Sequence, residues 1–174
     1  CNAYDGTIDT IDFTNKNINF FKKNINNFND DNNTNLHLDL ENHSNIFLKM
    51  DIEGYEIPWI KTLKEVHLTR ISQIVIEFHF PFNNTEIEVF NKLNKYFKII
   101  HFHANNCCGT RNHNGVIIPN VFECTYLNLK FFNNYYELNT EVIPGVLDMK
   151  NILENNEIII NYEPFVNDLN FKTN

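Results

Sequence analysis

The chain has 174 residues and a formal net charge of −8, from 22 acidic and 14 basic side chains. Apolar residues make up 43% of the sequence, enough for one hydrophobic core, so we expect a single domain over residues 1–174. The acidic balance makes nucleic acid an unlikely partner, and no apolar run reaches the roughly 18–20 residues of a membrane span. The start at Cys1, with no signal-peptide pattern, predicts an N-terminally truncated fragment and favours a cytoplasmic location.

The cysteine pattern and the absence of several known motifs narrow the chemistry further. Cys107 and Cys108 are adjacent, which favours free thiols in a reducing compartment over a disulfide scaffold. Together with His113 they lack the spacing of a structural zinc site. The sequence contains no G-x-S-x-G elbow, P-loop or G-x-G-x-x-G turn. Serine hydrolases and P-loop NTPases are therefore excluded.

Apolar runs and turn signals predict strands and helices in alternation. Strands are predicted at residues 1–5, 18–25, 46–52, 73–80, 98–103, 121–129 and 157–162, and loops at 24–35 and 104–119. The run 46–52 is nearly continuous in apolar character, which is typical of a strand buried on both faces.

Two helices are predicted between these strands. The first covers roughly residues 56–68, with Ile60, Leu63 and Val66 towards the core, where we also expect Trp59 and most of the Phe side chains. The second begins at a Thr85–Glu88 capping box and turns Ile87, Phe90, Leu93 and Phe97 inward. The order strand–helix–strand–helix–strand over residues 46–103 indicates a mostly parallel, doubly wound sheet.

Ionisable residues follow the two most apolar strands, Asp51 and Glu53 after the first and Glu77 and His79 at the end of the second. Ligands bind at the carboxyl ends of parallel strands, which lie on the order of 5 Å apart per strand step. Two acids and an imidazole there can deprotonate a hydroxyl or hold a divalent ion. In the alternative interpretation Glu77 caps a helix or pairs with an Arg, and His79 is a hydrogen-bonded, partly buried histidine.

His101 and His103 alternate along the third strand and point to one face, with Asn105 and Asn106 just beyond. Such a pattern can bind a metal or a polyhydroxy substrate, although a polar, solvent-facing strand gives the same pattern. A metal-dependent hydrolase that uses Asp51, Glu77, His79 and also His101 is one alternative for the whole protein.

Residues 47–56, Phe-Leu-Lys-Met-Asp-Ile-Glu-Gly-Tyr-Glu, resemble the motif of FkbM-type S-adenosylmethionine-dependent methyltransferases. Residues 3–7 resemble the end of that family's second strand, and residues 73–79 resemble a later strand of it. The remaining similarity is to a eukaryotic and viral branch of the family and lies in residues 103–106, 119–126, 143–148 and 162–165.

The resemblance implies an α/β, Rossmann-like class I methyltransferase fold: a mostly parallel, doubly wound sheet with an antiparallel final strand. In the family, the first strand and its Gly-rich turn precede the strand that corresponds to the one ending at Asp5. We therefore expect the family's first strand to be missing here. The implied reaction is methyl transfer from S-adenosylmethionine to a hydroxyl of a sugar, glycan or other small molecule. Because the Gly-rich turn is missing, the alternative is a non-catalytic remnant or binding module of the same fold.

By position, the resemblance implies a role for each candidate residue. Asp5, Asp51 and Glu53 are expected to bind the cofactor, with Asp5 on the ribose hydroxyls. Asp51, Glu77 and His79 are the expected catalytic residues. The expected acceptor-binding residues are His101, His103 and Asn105. The resemblance assigns no metal ligand, and whether a divalent ion assists the reaction is left open.

Overall fold

A computed structural model describes residues 1–11, 16–81, 84–132 and 136–167. Its strands are β1 (Asn2–Tyr4), β2 (Asn19–Phe21), β3 (Asn24–Ile25), β4 (Asn33–Thr34), β5 (Ile46–Met50), β6 (Ile71–His79), β7 (Phe97–Ala104), β8 (Thr110–His113), β9 (Val116–Pro119) and β10 (Val121–Asn128). Its α-helices are α1 (His37–Asn42), α2 (Glu56–Thr62), α3 (Glu65–Leu68) and α4 (Asn84–Asn94). Within the described ranges, no helix has the length and apolar character needed to cross a bilayer.

The main sheet has four strands in the order β5-β6-β10-β7. Strand β5 pairs with β6 in parallel, whereas β10 is antiparallel to both of its neighbours, β6 and β7. Strands β5, β6 and β7 therefore run in one direction, and β10 lies between β6 and β7 in the opposite direction. The α/β class and the antiparallel final strand are confirmed. The sheet itself is mixed, and the doubly wound arrangement stays a prediction.

The two predicted loops contain short strand pairs. Strands β3 and β4 pair in parallel within the Asn-rich stretch. Strands β8 and β9 form an antiparallel hairpin between β7 and β10. Its turn, Asn114-Gly115, has positive φ at both residues (52° and 90°), the conformation that Asn-Gly adopts most readily in two-residue hairpins. The prediction of plain loops was therefore wrong at both places.

The helix predicted over residues 56–68 is two helices. Leu63 has φ −64° and ψ 134°, an extended conformation that ends α2, and α3 begins at Glu65. Leu63 remains buried, but Val66, after the break, is 42% exposed. A single helical periodicity therefore fails here because the chain changes direction at Leu63.

Two further predictions about burial were wrong. Phe47 in β5 is 62% exposed, since β5 lies at the edge of the main sheet and only its alternate residues pack on the core. Among the α4 side chains that the structure describes, Val89 and Leu93 are buried, while Ile87 is 43% exposed. The Thr85 side chain of the predicted cap lies outside the described residues.

The C-terminal segment is mostly irregular. The strand predicted at residues 157–162 is reduced to one antiparallel bridge, between Ile143 and Ile160. Ile160 is fully buried and packs with Ile143 and Ala104 in a small apolar cluster beside β7. This cluster holds the segment against the main sheet.

Trp59 and Ile60 belong to the main core, as the sequence predicts. Trp59 is fully buried, and its Nε1–H donates to the carbonyl of Asn35 at 2.8 Å.

The cysteine prediction was partly wrong, because Cys107 and Cys108 form a disulfide while Cys1 and Cys124 are free thiols.

Asn128 joins the end of β10 to the start of β6. Its side-chain NH2 donates to the carbonyl of Ile71 at 2.8 Å, and its Oδ1 accepts from the backbone N–H of Lys130. Replacing it (Asn128→Ala) leaves these buried groups without partners, so we expect a loss of about 1–3 kcal/mol in the free energy of unfolding. Urea denaturation measures the change. The exposed helix variant Asn91→Ala serves as the control, and equal midpoints for the two variants would contradict the role of Asn128.

Candidate functional site

The candidate site lies at the carboxyl ends of β5 and β6. Asp51 follows β5 directly, and the register of Met50 beside Ile76 brings it next to Glu77. Asp51, Glu77 and His79 each offer one ligand-type atom, and these three atoms all lie within 4.8 Å of one another. The structure thus brings together the three residues that the sequence predicts to be catalytic.

The orientation of the His79 ring is set by Glu56, the last residue of the 47–56 motif. Glu56 is 1% exposed, and its Oε1 accepts hydrogen bonds from the backbone N–H groups of Ile52 (3.2 Å) and Gly54 (3.1 Å). The same oxygen lies 3.0 Å from Nδ1 of His79. Because Oε1 acts as the acceptor for all three groups, Nδ1 carries the hydrogen.

The other ring nitrogen of His79 faces two further acids. Its Nε2 lies 3.3 Å from Oε2 of Glu53 and 3.9 Å from Oδ1 of Asp51. Glu53 reaches this position through a left-handed turn, with φ 52° at Glu53 and 98° at Gly54. Gly at the second position removes the steric cost of that conformation. Within the described chain, the three acids Asp51, Glu53 and Glu56 have His79 as their only ion-pair partner.

Glu77 is held in an environment that resists ionisation. It is 8% exposed, and burial, followed by the nearby charges of Asp51 and Glu123, raises its pKa above the ordinary value. A hydrogen bond of 2.7 Å from the amide NH2 of Asn105 acts in the opposite direction. Within the described ranges Glu77 lies in β6 and forms no ion pair with an Arg, so that part of the alternative was wrong, whereas His79 is hydrogen-bonded and partly buried, as the alternative predicts. A carboxyl with a raised pKa is suited to accept a proton near neutral pH.

A row of polar residues continues across the sheet from Glu77. Glu123 of β10 lies opposite Glu77 on one side and opposite His103 of β7 on the other. His103 is 4% exposed, its Nε2 lies 3.9 Å from Oε2 of Glu157, and neither atom has a hydrogen-bond partner in the described structure. Glu77, Glu123 and His103 thus share one face of the sheet.

The predicted acceptor-binding residues divide into two groups. Asn105 contacts Glu77 and so belongs to the site. His101 and His103 contact Asp148 (2.8 Å) and Glu157 of the C-terminal segment. The solvent-facing alternative was wrong for His103, which is buried, whereas the His101 side chain is 46% exposed.

Asp5, the predicted ribose ligand, follows β1 in a partly exposed turn. Its Oδ1 accepts from the N–H of Thr7 (2.7 Å) and from the Thr7 hydroxyl (2.6 Å), and these bonds lower the pKa of Asp5. It is carried by the small β1-β2 sheet and not by the main one. Among the described residues, no hydrogen bond or ion pair joins Asp5 to the cluster at Asp51.

A large cavity lies away from this cluster. Its volume is about 970 Å³, and it lies between α4, strands β7 and β10, and the segment 136–148. The lining is mainly apolar and includes Phe102, Phe122 and Ile143, with His101 and Asp148 at its wall. Asp51, Glu77 and His79 do not line it. The cluster of Asp51, Glu77 and His79 and this cavity are therefore distinct features.

Two residues of the site have no role in the sequence-based assignment. Glu56 entered the sequence analysis only as part of the motif, where it is the second Glu and stands two residues after Gly54. Glu123 carried no signal, because only the antiparallel insertion of β10 places it beside Glu77.

Comparison with known families gives one match. Residues 7–107, more than half of the chain, match the family described as "Methyltransferase FkbM domain". No curated protein and no solved structure matched the chain. The family match supports a methyltransferase in general, and with it a Rossmann-like fold. The matched range contains Asp51, Glu56, Glu77 and His79, so the cluster lies inside the family's own domain. The chain therefore belongs to the FkbM methyltransferase family.

Proposed function

We propose that the chain is an S-adenosylmethionine-dependent O-methyltransferase that acts on a hydroxyl of a sugar, glycan or other small molecule. The observation that carries the proposal is the convergence of Asp51, Glu77 and His79 at adjacent strand ends within the matched family domain.

The charge of the site fits this cofactor. The acids Asp51, Glu53, Glu56 and Glu77 surround one imidazole, so the edge of the sheet favours a ligand that brings positive charge, as a sulfonium does. The partly exposed carboxylate of Asp5 can accept hydrogen bonds from both hydroxyls of a ribose. When bound, the cofactor supplies an electrophilic methyl group on sulfur.

The protein's own contribution is to position the acceptor and remove its proton. In the transfer, the acceptor oxygen forms a bond to the methyl carbon, the carbon–sulfur bond breaks, and the hydroxyl proton must leave. Glu77, with its raised pKa, is the group we assign as proton acceptor, and Asp51 stabilises positive charge beside it. His79, fixed by Glu56, orients the acceptor hydroxyl. Asn105, which contacts Glu77, extends this polar surface, and we propose that a polyhydroxy acceptor also reaches the exposed His101, whereas His103 is buried against Glu157.

The first prediction concerns the cofactor site. We expect S-adenosylhomocysteine to bind the chain with micromolar affinity in a calorimetric titration. Asp5→Ala should weaken binding by about tenfold or more, since a hydrogen bond to a charged group contributes about 1.5–3 kcal/mol. Asp51→Ala should abolish methyl transfer to a sugar panel without unfolding the protein.

The control for both variants is Asp31→Asn, an exposed acid outside the cluster. Absence of S-adenosylhomocysteine binding to the unmodified chain would favour the non-catalytic binding module. Normal turnover by Asp51→Ala would contradict the role of that residue.

The second prediction concerns the proton acceptor. The Asn105 amide stabilises the ionised form of Glu77, so Asn105→Ala should raise the pKa of Glu77 further. In the variant, Glu77 ionises at a higher pH, so the acid limb of a pH–rate profile also shifts to higher pH. A carbon-13 NMR titration of the Glu77 carboxyl measures this without a known acceptor. Asn114→Gly, at a turn that tolerates Gly, is the control, and an unchanged or lower pKa in Asn105→Ala would exclude the proposed coupling.

A further inference from the structure

We propose that Asp51, Glu77 and His79 bind one divalent metal ion of the Mn²⁺ type. The binding site is argued from the geometry alone. The role of the ion, polarising the acceptor hydroxyl so that its proton is lost more easily, rests on the proposed function.

The three donor atoms are close enough to share one ion. They lie within 4.8 Å of one another, and they come from two adjacent strand ends whose spacing the β5-β6 ladder fixes. An ion about 2.0–2.2 Å from each donor holds donors within about 4.4 Å of each other, so shifts of a few tenths of an ångström suffice.

The His79 ring is presented in the manner of a metal ligand. Its Nδ1–H donates to the Glu56 carboxyl, which leaves Nε2 facing Asp51 and Glu53. A histidine that binds a metal commonly donates its other N–H to a carboxylate in this way, which fixes both the tautomer and the ring orientation. Glu56 is 1% exposed, and its Oε2 has no hydrogen-bond partner in the described structure. Burying this carboxyl beside His79 therefore costs desolvation free energy.

The charge balance of the cluster also favours a bound cation. Five acids gather around the end of β6, namely Asp51, Glu53, Glu56, Glu77 and Glu123, and in the described structure the imidazole that pairs with acids of this group is that of His79. No Lys or Arg forms an ion pair with any of them in the described ranges. Carboxylates this close repel one another unless a cation or a proton offsets them, and a divalent ion offsets two charges at once.

The donor types select the class of metal. Two carboxylate oxygens and one imidazole nitrogen suit Mn²⁺, which accepts both kinds of donor, better than Ca²⁺, which takes oxygen ligands. Three protein ligands leave coordination positions open for water or an acceptor oxygen. The rival arrangement has no metal: a doubly protonated His79 pairs with Asp51 and Glu53.

The test is a Mn²⁺ titration of the full chain after treatment with a chelator, followed by electron paramagnetic resonance. We expect one Mn²⁺ per chain at micromolar affinity. Three variants each remove one metal donor: His79→Gln, Asp51→Asn and Glu77→Gln. A fourth, Glu56→Gln, weakens the hydrogen bond that orients the His79 ring. Each should weaken binding about 10–100-fold.

The exposed variants Asp31→Asn and His43→Gln should bind as the unmodified chain does. Parallel titrations with Mg²⁺ and Ca²⁺ rank the metals, and Mg²⁺ or Ca²⁺ binding more tightly than Mn²⁺ would overturn the assignment to the Mn²⁺ type.

A second measurement needs no variant and so does not depend on their folding. Bound Mn²⁺ should broaden the NMR signals of the His79 ring and of the Ile52 amide, and leave those of His43 and Asp31 sharp. Lack of Mn²⁺ binding at millimolar concentration, unaltered affinity in all four cluster variants, or broadening elsewhere would each overturn the metal site and favour the protonated His79.

The outcome is distinguishable from that of the proposed function. S-adenosylhomocysteine is titrated against the same chelated protein. Cofactor binding without Mn²⁺ binding removes the metal site and leaves the methyltransferase proposal in place. Mn²⁺ binding without cofactor binding supports the site and counts against the methyltransferase proposal.

Discussion

The buried carboxyl of Glu56 is the contact on which the candidate site depends. One of its oxygens accepts from Ile52, from Gly54 and from His79, and so joins the turn after β5 to the end of β6. Burying a carboxyl is costly unless donors satisfy it, and here two of the three donors are backbone amides that cannot move away. The left-handed turn at Glu53 and Gly54 is held by the same contact. The acid cluster is thus fixed by a side chain as well as by the sheet.

The sheet topology determines the electrostatics of Glu77. Because β10 lies between β6 and β7, Glu123 comes to lie opposite Glu77, and Asn105 at the end of β7 reaches across to it. The antiparallel strand therefore supplies an acid that raises the pKa of Glu77, and the strand beyond it supplies an amide that lowers it. The proton acceptor that we propose, Glu77, therefore owes its properties to three strands at once.

The two faces of the main sheet have different characters. Ile76, Phe78, Phe122 and Cys124 line the core face, whereas Glu77, Glu123 and His103 lie on the other. The C-terminal segment contacts the polar row through Glu157, and through Asn151, whose NH2 donates to Glu123. It also forms one wall of the apolar cavity. A segment with little regular structure is therefore placed to influence both the polar row and the cavity.

The sequence by itself determined the strands at 46–52, 73–80, 98–103 and 121–129, the turn at Glu53-Gly54 and the convergence of Asp51, Glu77 and His79, because apolar periodicity and residues at strand ends are local signals. It also determined the family, through the 47–56 motif. Only the tertiary structure decided that Leu63 breaks a helix, that Phe47 and Ile87 are exposed, and that Cys107 pairs with Cys108. It alone assigned Glu56 to His79 and turned His103 towards Glu157. The contacts of Glu56 and His103 depend on which segments become neighbours, and periodicity along the chain does not identify a partner that is distant in sequence. The break at Leu63 and the bond between the adjacent Cys107 and Cys108 depend on local backbone and side-chain geometry, which apolar periodicity does not record.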